Sequence, residues 1–363
     1  MVGLVTFQSQ YNCGSALQAY ALQETIKLLG FDCKILNYFY WNDMKAYDLV
    51  RWRSKNPKVI LFDFYTIKNC YNRKRAYKKF QTKYLNLTEQ TDEWQDLGEI
   101  SNDCEILVCG SDQIWNPGTT QGVHPAYFLE FANASQRRIA YGPSFAISSI
   151  PNVYFDDLRA ALQDFSAISV REEQTADQLA TIIGRKVFCA LDPTLLHNSD
   201  FYDRLLKEYT LSLPQRYLFV YCLHYTHLND LRKSAEKYAK KHNLKIVYFN
   251  KFNIYHPLYK FNIFQYGPEA FLYAIKHADF VMGDSFHAAV FSVIYNKQFS
   301  IYAVEGGQSR TDTLFERLGI EKNYLNDHSF VPIDYDKVNS LLKEQQEESL
   351  AFLKAALEGK HFE

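Results

Sequence analysis

Net charge is what this chain lacks first: 40 Lys and Arg stand against 41 Asp and Glu in 363 residues. No overall field exists to draw in nucleic acid or a membrane surface, so a simple polycationic role is excluded. There is also no C-x-x-C pair; the seven cysteines stand singly at 13, 33, 70, 104, 109, 189 and 222. That odd, scattered set reads as reduced thiols of a cytoplasmic protein rather than as a disulfide framework. No apolar run approaches the roughly 20 residues that span a bilayer. Met1–Phe7 is apolar but lacks the basic region and cleavage site of a secretory signal. The expected location is the cytoplasm, with at most peripheral contact at the inner face of the membrane. No repeat of solenoid period and no low-complexity tract is present.

What is there is ordinary core material. Hydrophobic residues make up 47% of the chain and aromatics 16%, with 27 Tyr and 27 Phe. That excludes wholesale disorder, and the length favours two domains at roughly 100–200 residues each. Val2–Phe7, a helix ending at Gly30 and Cys33–Tyr38 read as β-α-β, the opening of a parallel sheet covered by helices. Residues 39–100 interrupt this. Arg51–Lys83 carries 11 Lys/Arg and one acid, with Ile60, Phe64, Ile67 and Tyr71 at helical spacing; Tyr84–Glu105 carries seven acids and no Lys/Arg. The whole reads as a mostly helical insertion with a basic and an acidic limb. Strands at 105–109, 138–141, 167–170 and 187–191 complete a first unit of about 1–200. A second βα series fills 214–330, and a helix closes the chain over 331–363.

Two such units imply a cleft, with ligands held outside the carboxyl ends of the strands. Loops after strands therefore carry the candidate chemistry. Gly306-Gly307-Gln308-Ser309-Arg310 offers free N–H groups at a helix start and a guanidinium, an anion grip, although Ser309 and Asp312 also make a plain helix cap. Arg171 ends a strand where a sheet ligand would lie, or else pairs with Glu172 or Glu173. His287 opens a helix after Asp284-Ser285-Phe286 and is a candidate acid–base group, or a structural histidine. Asp112, in Gly110-Ser111-Asp112-Gln113-Ile114-Trp115-Asn116, sits among hydrogen-bonding groups beside an indole, a mixture that suits a sugar and equally suits a turn. Cys13 lies at a helix start but has no evident partner. His224 and His227 lie three apart with no evident carboxylate or Cys companion, so no metal is expected.

Taken in order, these loops resemble the polysaccharide pyruvyl transferase family. The matching pieces are Asn12-x-Gly14 with Leu17 to Leu22, the 110–116 loop, Tyr141-Gly142-Pro143-Ser144-Phe145, and Ile168 to Glu172. They continue with Leu191-Asp192-Pro193-Thr194-Leu195-Leu196, Gly267-Pro268-Glu269-x-Phe271, Asp284 to His287 with Phe291-Ser292, and Ser309-Arg310 with Leu314 and Leu318-Gly319. The resemblance implies an α/β fold of two Rossmann-like domains facing a cleft, similar to GT-B glycosyltransferases, the first on the acceptor side and the second on the donor side. It implies transfer of the enolpyruvyl group of phosphoenolpyruvate onto two hydroxyls of a glycan sugar, giving a pyruvate ketal and phosphate. No cofactor is implied, phosphoenolpyruvate being a donor substrate. His287 and Asp112 fall to catalysis. Arg171, Ser285, Gln308, Ser309 and Arg310 fall to the donor. Asn12, Gly14, Ser111, Trp115, Asn116, Tyr141 and Ser144 fall to a glycan acceptor, polymeric or lipid-linked. Where many relatives carry Arg two residues before the histidine, this chain has Ser285. A nucleotide-sugar glycosyltransferase and a non-catalytic acidic-glycan binder remain open alternatives. Residues 51–83 add a peripheral membrane contact to the expected partners, which include no nucleic acid.

Overall fold

The structure, a computed structural model, describes residues 1–40, 49, 56–251, 260–302, 309–321, 324–325 and 330–362. Among the described residues, eleven strands form two wholly parallel sheets. The first holds β1 (Val2–Val5), β2 (Cys33–Tyr38), β3 (Leu87–Thr91), β4 (Ile106–Cys109), β5 (Arg137–Ala140), β6 (Phe165–Val170) and β7 (Phe188–Cys189), in the order 3-2-1-4-5-6-7. The second holds β8 (Tyr217–Tyr221), β9 (Lys245–Phe249), β10 (Phe280–Gly283) and β11 (Phe299–Ile301), in the order 11-10-8-9. The central strands β1, β4, β8 and β10 are buried throughout, as continuous apolar runs in a sheet covered on both faces should be. One-turn helices aside, the helices are α1 (Cys13–Leu28), α2 (Pro57–Tyr84), α3 (Phe155–Leu162), α4 (Glu173–Ile183), α5 (Ser199–Leu206), α6 (Leu228–His242), α7 (Pro268–His277), α8 (Phe286–Ile294), α9 (Ser309–Arg317) and α10 (Tyr335–Glu358).

Strand order reverses between β1 and β4 in the first sheet and between β8 and β10 in the second. At these two points the following loops leave in opposite directions and open a crevice. The loops concerned are those before α1 and after β4, and those after β8 and before α8. Asn12 caps α1 by accepting from the Gly14 N–H at 2.9 Å, and Gly30, at φ 92°, ends that helical segment in a conformation glycine adopts freely.

The 39–100 stretch departs from the expected mostly helical insertion. Its helix α2 is present, but the acidic limb contributes β3, an edge strand paired with β2. Thr88 and Thr91, with Leu87, suit a pleated surface, and Glu89 and Gln90 face solvent at the edge. The face of α2 that turns inward is not the apolar stripe. Asp63, Thr66, Asn69, Arg73, Tyr77 and Phe80 are buried, whereas Phe64 and Tyr71 of the apolar stripe are about half exposed, at 48% and 51%. Arg73 explains the polar inner face: it reaches the second lobe, donating to the Phe264 carbonyl at 3.1 Å with its guanidinium 4.4 Å above the Phe264 ring. The closing helix α10 returns to the first sheet, where Phe352 stacks on Phe188 at 4.8 Å and Arg137 donates to the Leu357 carbonyl at 2.8 Å.

Candidate active site

One residue from each lobe meets at the crevice. Gly14 begins α1 and His287 begins α8, and the imidazole lies directly on the glycine: a Cβ at position 14 would stand 2.0 Å from His287 Nδ1. Two helix N-termini, each with the positive end of its dipole, converge there. His287 is 5% exposed, and its Nε2 is shut off from solvent without a hydrogen-bond partner. The nearest carboxylate oxygen, Asp192 Oδ2, is 3.6 Å from Nε2, too far for a hydrogen bond.

Asp192 is the hub that spacing did not single out. It lies in the Leu191–Leu196 motif after β7, in a position that reads as a strand stop. Its Oδ1 accepts from the Thr194 N–H at 3.0 Å and hydroxyl at 2.6 Å, and its Oδ2 pairs with Arg171 Nη1. Burial alone would raise its carboxyl, but the Arg171 guanidinium, then His287 and Thr194, hold it well below the usual carboxylate range. Arg171 therefore pairs with Asp192, not with Glu172 or Glu173. The Glu172 carboxylate instead accepts from the Ser144 hydroxyl and the Thr175 hydroxyl.

Arg310 arrives from α9. Its guanidinium stands 5.4 Å from the Phe286 ring centre and that of Arg171 5.2 Å from the same ring. With its amide turned to present oxygen, Gln113 accepts from Arg310 Nη2 at 2.7 Å. Burial, and then the neighbouring Arg171 charge, push Arg310 down to about 10. Two cations thus share one aromatic ring. Arg171 Nε and Nη2, Arg310 Nε, His287 Nε2 and Ser111 Oγ are all buried without a hydrogen-bond partner. The carboxylates nearby are already committed. Asp112 accepts from the Ser15 hydroxyl at 2.5 Å and the Gln113 N–H at 2.8 Å, with Arg171 Nη2 4.0 Å away. What remains unspent are donors, and buried donors call for an acceptor.

The remaining sequence candidates divide sharply. Ser285 stands at the N-cap position of α8 without a side-chain cap hydrogen bond and is 6% exposed. Asn12 and Asn116 are half-buried and spend their carboxamide oxygens on helix caps. Trp115 is not a sugar platform: it is 1% exposed, stacks on Phe128 at 4.9 Å and donates its N–H to the Tyr127 carbonyl. Tyr141 and Ser144 are wholly buried as well, Tyr141 donating to the Leu191 carbonyl at 3.3 Å. Ser111 is equally enclosed. Trp115, Tyr141 and Ser144 are thus core and scaffold rather than acceptor contacts, whereas the enclosed Ser111 hydroxyl is one of the unpartnered groups. Asp112 sits at φ 76°, in the left-handed region, and holds the loop against Ser15 rather than standing free for catalysis. Asp284, in the same motif as His287, accepts from the Leu223 and His224 N–H groups at 2.8 and 2.9 Å. Cys13 is no nucleophile at neutral pH, since burial pushes its thiol up to about 11. Gln308 lies outside the described residues, as do Gly306 and Gly307; Ser309 begins α9, and its side chain is not described.

Two parallel α/β lobes with their switch points turned to one crevice define a protein of the GT-B-like class. The structure resembles that of a protein from Listeria monocytogenes described as a UDP-N-acetylglucosamine 2-epimerase, with a TM-score of 0.52 at 8% identity over 99% of this chain and 97% of that one. The UDP-N-acetylglucosamine 2-epimerase of Neisseria meningitidis gives a TM-score of 0.49 at 10% identity over 96% and 93%. No curated protein matches the sequence significantly. The polysaccharide pyruvyl transferase family matches residues 12–305, and the chain belongs to it. It is accordingly an enzyme, a pyruvyl transferase acting on a polysaccharide. Among the described residues no helix is long and apolar enough to cross a membrane.

Proposed function

We propose that the crevice holds phosphoenolpyruvate and that His287 is the acid–base group of ketal formation. The observation that carries this reading is the set of buried, unpartnered donors on Arg171, Arg310 and His287 around Phe286. Two guanidiniums on one ring repel each other unless an anion lies with them, and this donor brings both a carboxylate and a phosphate. Arg310 supplies the cation that position 285 lacks. The chemistry needs a proton delivered to C3 of the enol, a sugar hydroxyl added at C2, phosphate expelled, and a second hydroxyl closed onto the same carbon. His287 Nε2 can give the first proton and take a hydroxyl proton afterwards. Asp192 fixes Arg171 beside it and is a positioning residue. Phosphate release from phosphoenolpyruvate, measured with and without a glycan acceptor, tests the reading. Release that does not depend on the glycan, or stabilisation by UDP- or GDP-sugars but not by phosphoenolpyruvate, would replace it with the nucleotide-sugar reading.

Membrane contact through α2 belongs to the same reading. Its outward face carries Leu61, at 72% exposure, together with Phe64 and Tyr71, and Lys58, Lys68 and Arg75 lie close to these residues in the sequence. An apolar stripe bordered by cations suits an anionic bilayer, where a lipid-linked acceptor would be found. Equal co-sedimentation with anionic and neutral vesicles at low salt would remove this contact from the proposal.

A further inference from the structure

The second switch point carries a cluster that the transfer reaction does not use. His224 and His227 lie after β8, and the fold brings Asp284, after β10, to both of them from 60 and 57 positions away. Asp284 Oδ2 is 3.1 Å from His224 Nδ1 and 3.3 Å from His227 Nδ1, and the three groups' ligand atoms all lie within 4.8 Å of one another. The carboxylate companion missing from the sequence spacing is therefore supplied by tertiary structure.

The arrangement is crowded for hydrogen bonds alone. Oδ2 faces the His224 N–H at 2.9 Å and both imidazole nitrogens. One carboxylate oxygen offers about two lone pairs to these three groups. The misfit disappears if the two imidazoles turn lone pairs rather than protons toward the centre. Bonds of about 2.0–2.1 Å to a tetrahedral ion place neighbouring ligand atoms about 3.3 Å apart, close to the 3.1 and 3.3 Å from Asp284 Oδ2 to the two imidazoles, while the third separation stays within 4.8 Å. The Asp284 side chain is fully buried while that of His224 is 52% exposed, so an ion held here keeps an open side toward solvent. Tyr302 stacks on His227 at 4.6 Å and fixes that ring. The Cys222 thiol donates to the His224 carbonyl at 3.4 Å, which turns it away from the donor set.

We propose that His224, His227 and Asp284 form a binding site for a divalent first-row cation of the Zn²⁺ type. Two imidazoles and one carboxylate suit such a borderline ion better than Mg²⁺ or Ca²⁺, which prefer oxygen throughout. The proposal is independent of the donor's identity.

The test is binding of the metal alone to the full chain. Chelator-treated protein is dialysed against Zn²⁺ or Co²⁺, and metal content and visible absorption are measured. One equivalent bound is expected, with Co²⁺ giving the weak visible bands of a nitrogen–oxygen site. His224→Ala and His227→Ala should each weaken Zn²⁺ binding by more than the roughly 10- to 100-fold that loss of an outer-shell partner costs. Asp284→Asn also disturbs two backbone hydrogen bonds, so the histidine variants decide, with circular dichroism confirming their fold. Substoichiometric binding to the wild type, unchanged binding in the doubly substituted His224→Ala/His227→Ala protein, or an intense thiolate-to-cobalt band that places the ion on a cysteine would each overturn the proposal.

Discussion

Gly14→Ala is the smallest change that should disable the crevice. A methyl group there would stand 2.0 Å from His287 Nδ1, 2.3 Å from Cγ and 2.6 Å from Cε1. Ordinary contact begins at 3.4 Å, so the ring must retreat by 1.4 Å (3.4 − 2.0). The ring is no flexible tail: it is buried at the start of α8, with Asp192 on its other side. A misplacement of about 1 Å costs a reaction about 10²-fold, so kcat should fall by at least that factor. Stability should fall by about 1–3 kcal/mol, the usual cost of overpacking, because Gly14 stands in the first turn of α1, where the interior helix propensity of alanine brings no offset. The assay is acceptor-dependent phosphate release from phosphoenolpyruvate, read beside Tm. Gly98→Ala serves as the control, because its Cβ would meet only the Phe131 carbonyl at 3.4 Å. A Gly14→Ala enzyme with kcat within about threefold of wild type would refute the idea that the glycine sets the imidazole's position.

His287→Ala should lose about 10²–10⁴ in kcat while donor affinity falls much less; a variant that keeps more than about a tenth of wild-type kcat would make the histidine a contact only. Arg310→Ala should weaken donor binding roughly 10- to 150-fold, for a lost charge-assisted contact of about 1.5–3 kcal/mol, and unchanged calorimetric affinity would count against the anion grip. Arg171→Ala should instead destabilise the fold by about 3–5 kcal/mol, since it strands the buried Asp192 carboxylate; an unchanged Tm would contradict the pairing. Trp115→Ala should cost about 3–5 kcal/mol of stability with acceptor KM unaltered, and a raised acceptor KM at unchanged Tm would restore the indole to the sugar site. His197 gives a pH signature. Burial holds it down to about 4, against Thr25 at 2.8 Å and stacked on Phe201 at 3.7 Å. Its folded value lies below the unfolded one, so the unfolded chain binds the extra proton. The contribution is whole above about pH 6.5 and is lost as pH falls toward 4, about 3 kcal/mol in all; His197→Gln should flatten stability over that window, and an unchanged slope would show another group responsible.

The sequence by itself determined the parallel α/β plan. Apolar runs such as Val2–Val5 and Tyr217–Tyr221 can only be interior strands, and caps and stops such as Asn12 and Gly30 are local chemistry acting within a few residues. The motif loops were legible for the same reason, and so were Arg171, His287 and Arg310 as groups at strand ends or helix starts. Tertiary structure decided which groups meet and which are covered. Asp192 reads as a strand stop until β7 brings it between Arg171 and His287. Asp284 has no visible tie to His224 and His227 until β8 and β10 lie side by side. Trp115 and Tyr141 have the composition of a sugar site, yet whether an aromatic ring faces ligand or core depends on what packs over it, and here Phe128 and the Leu191 segment do. Helical spacing finds the apolar stripe of α2 without saying which side of the helix is buried. Arg73, reaching across to Phe264, settles that side through a contact 191 residues away, beyond the range of any local pattern.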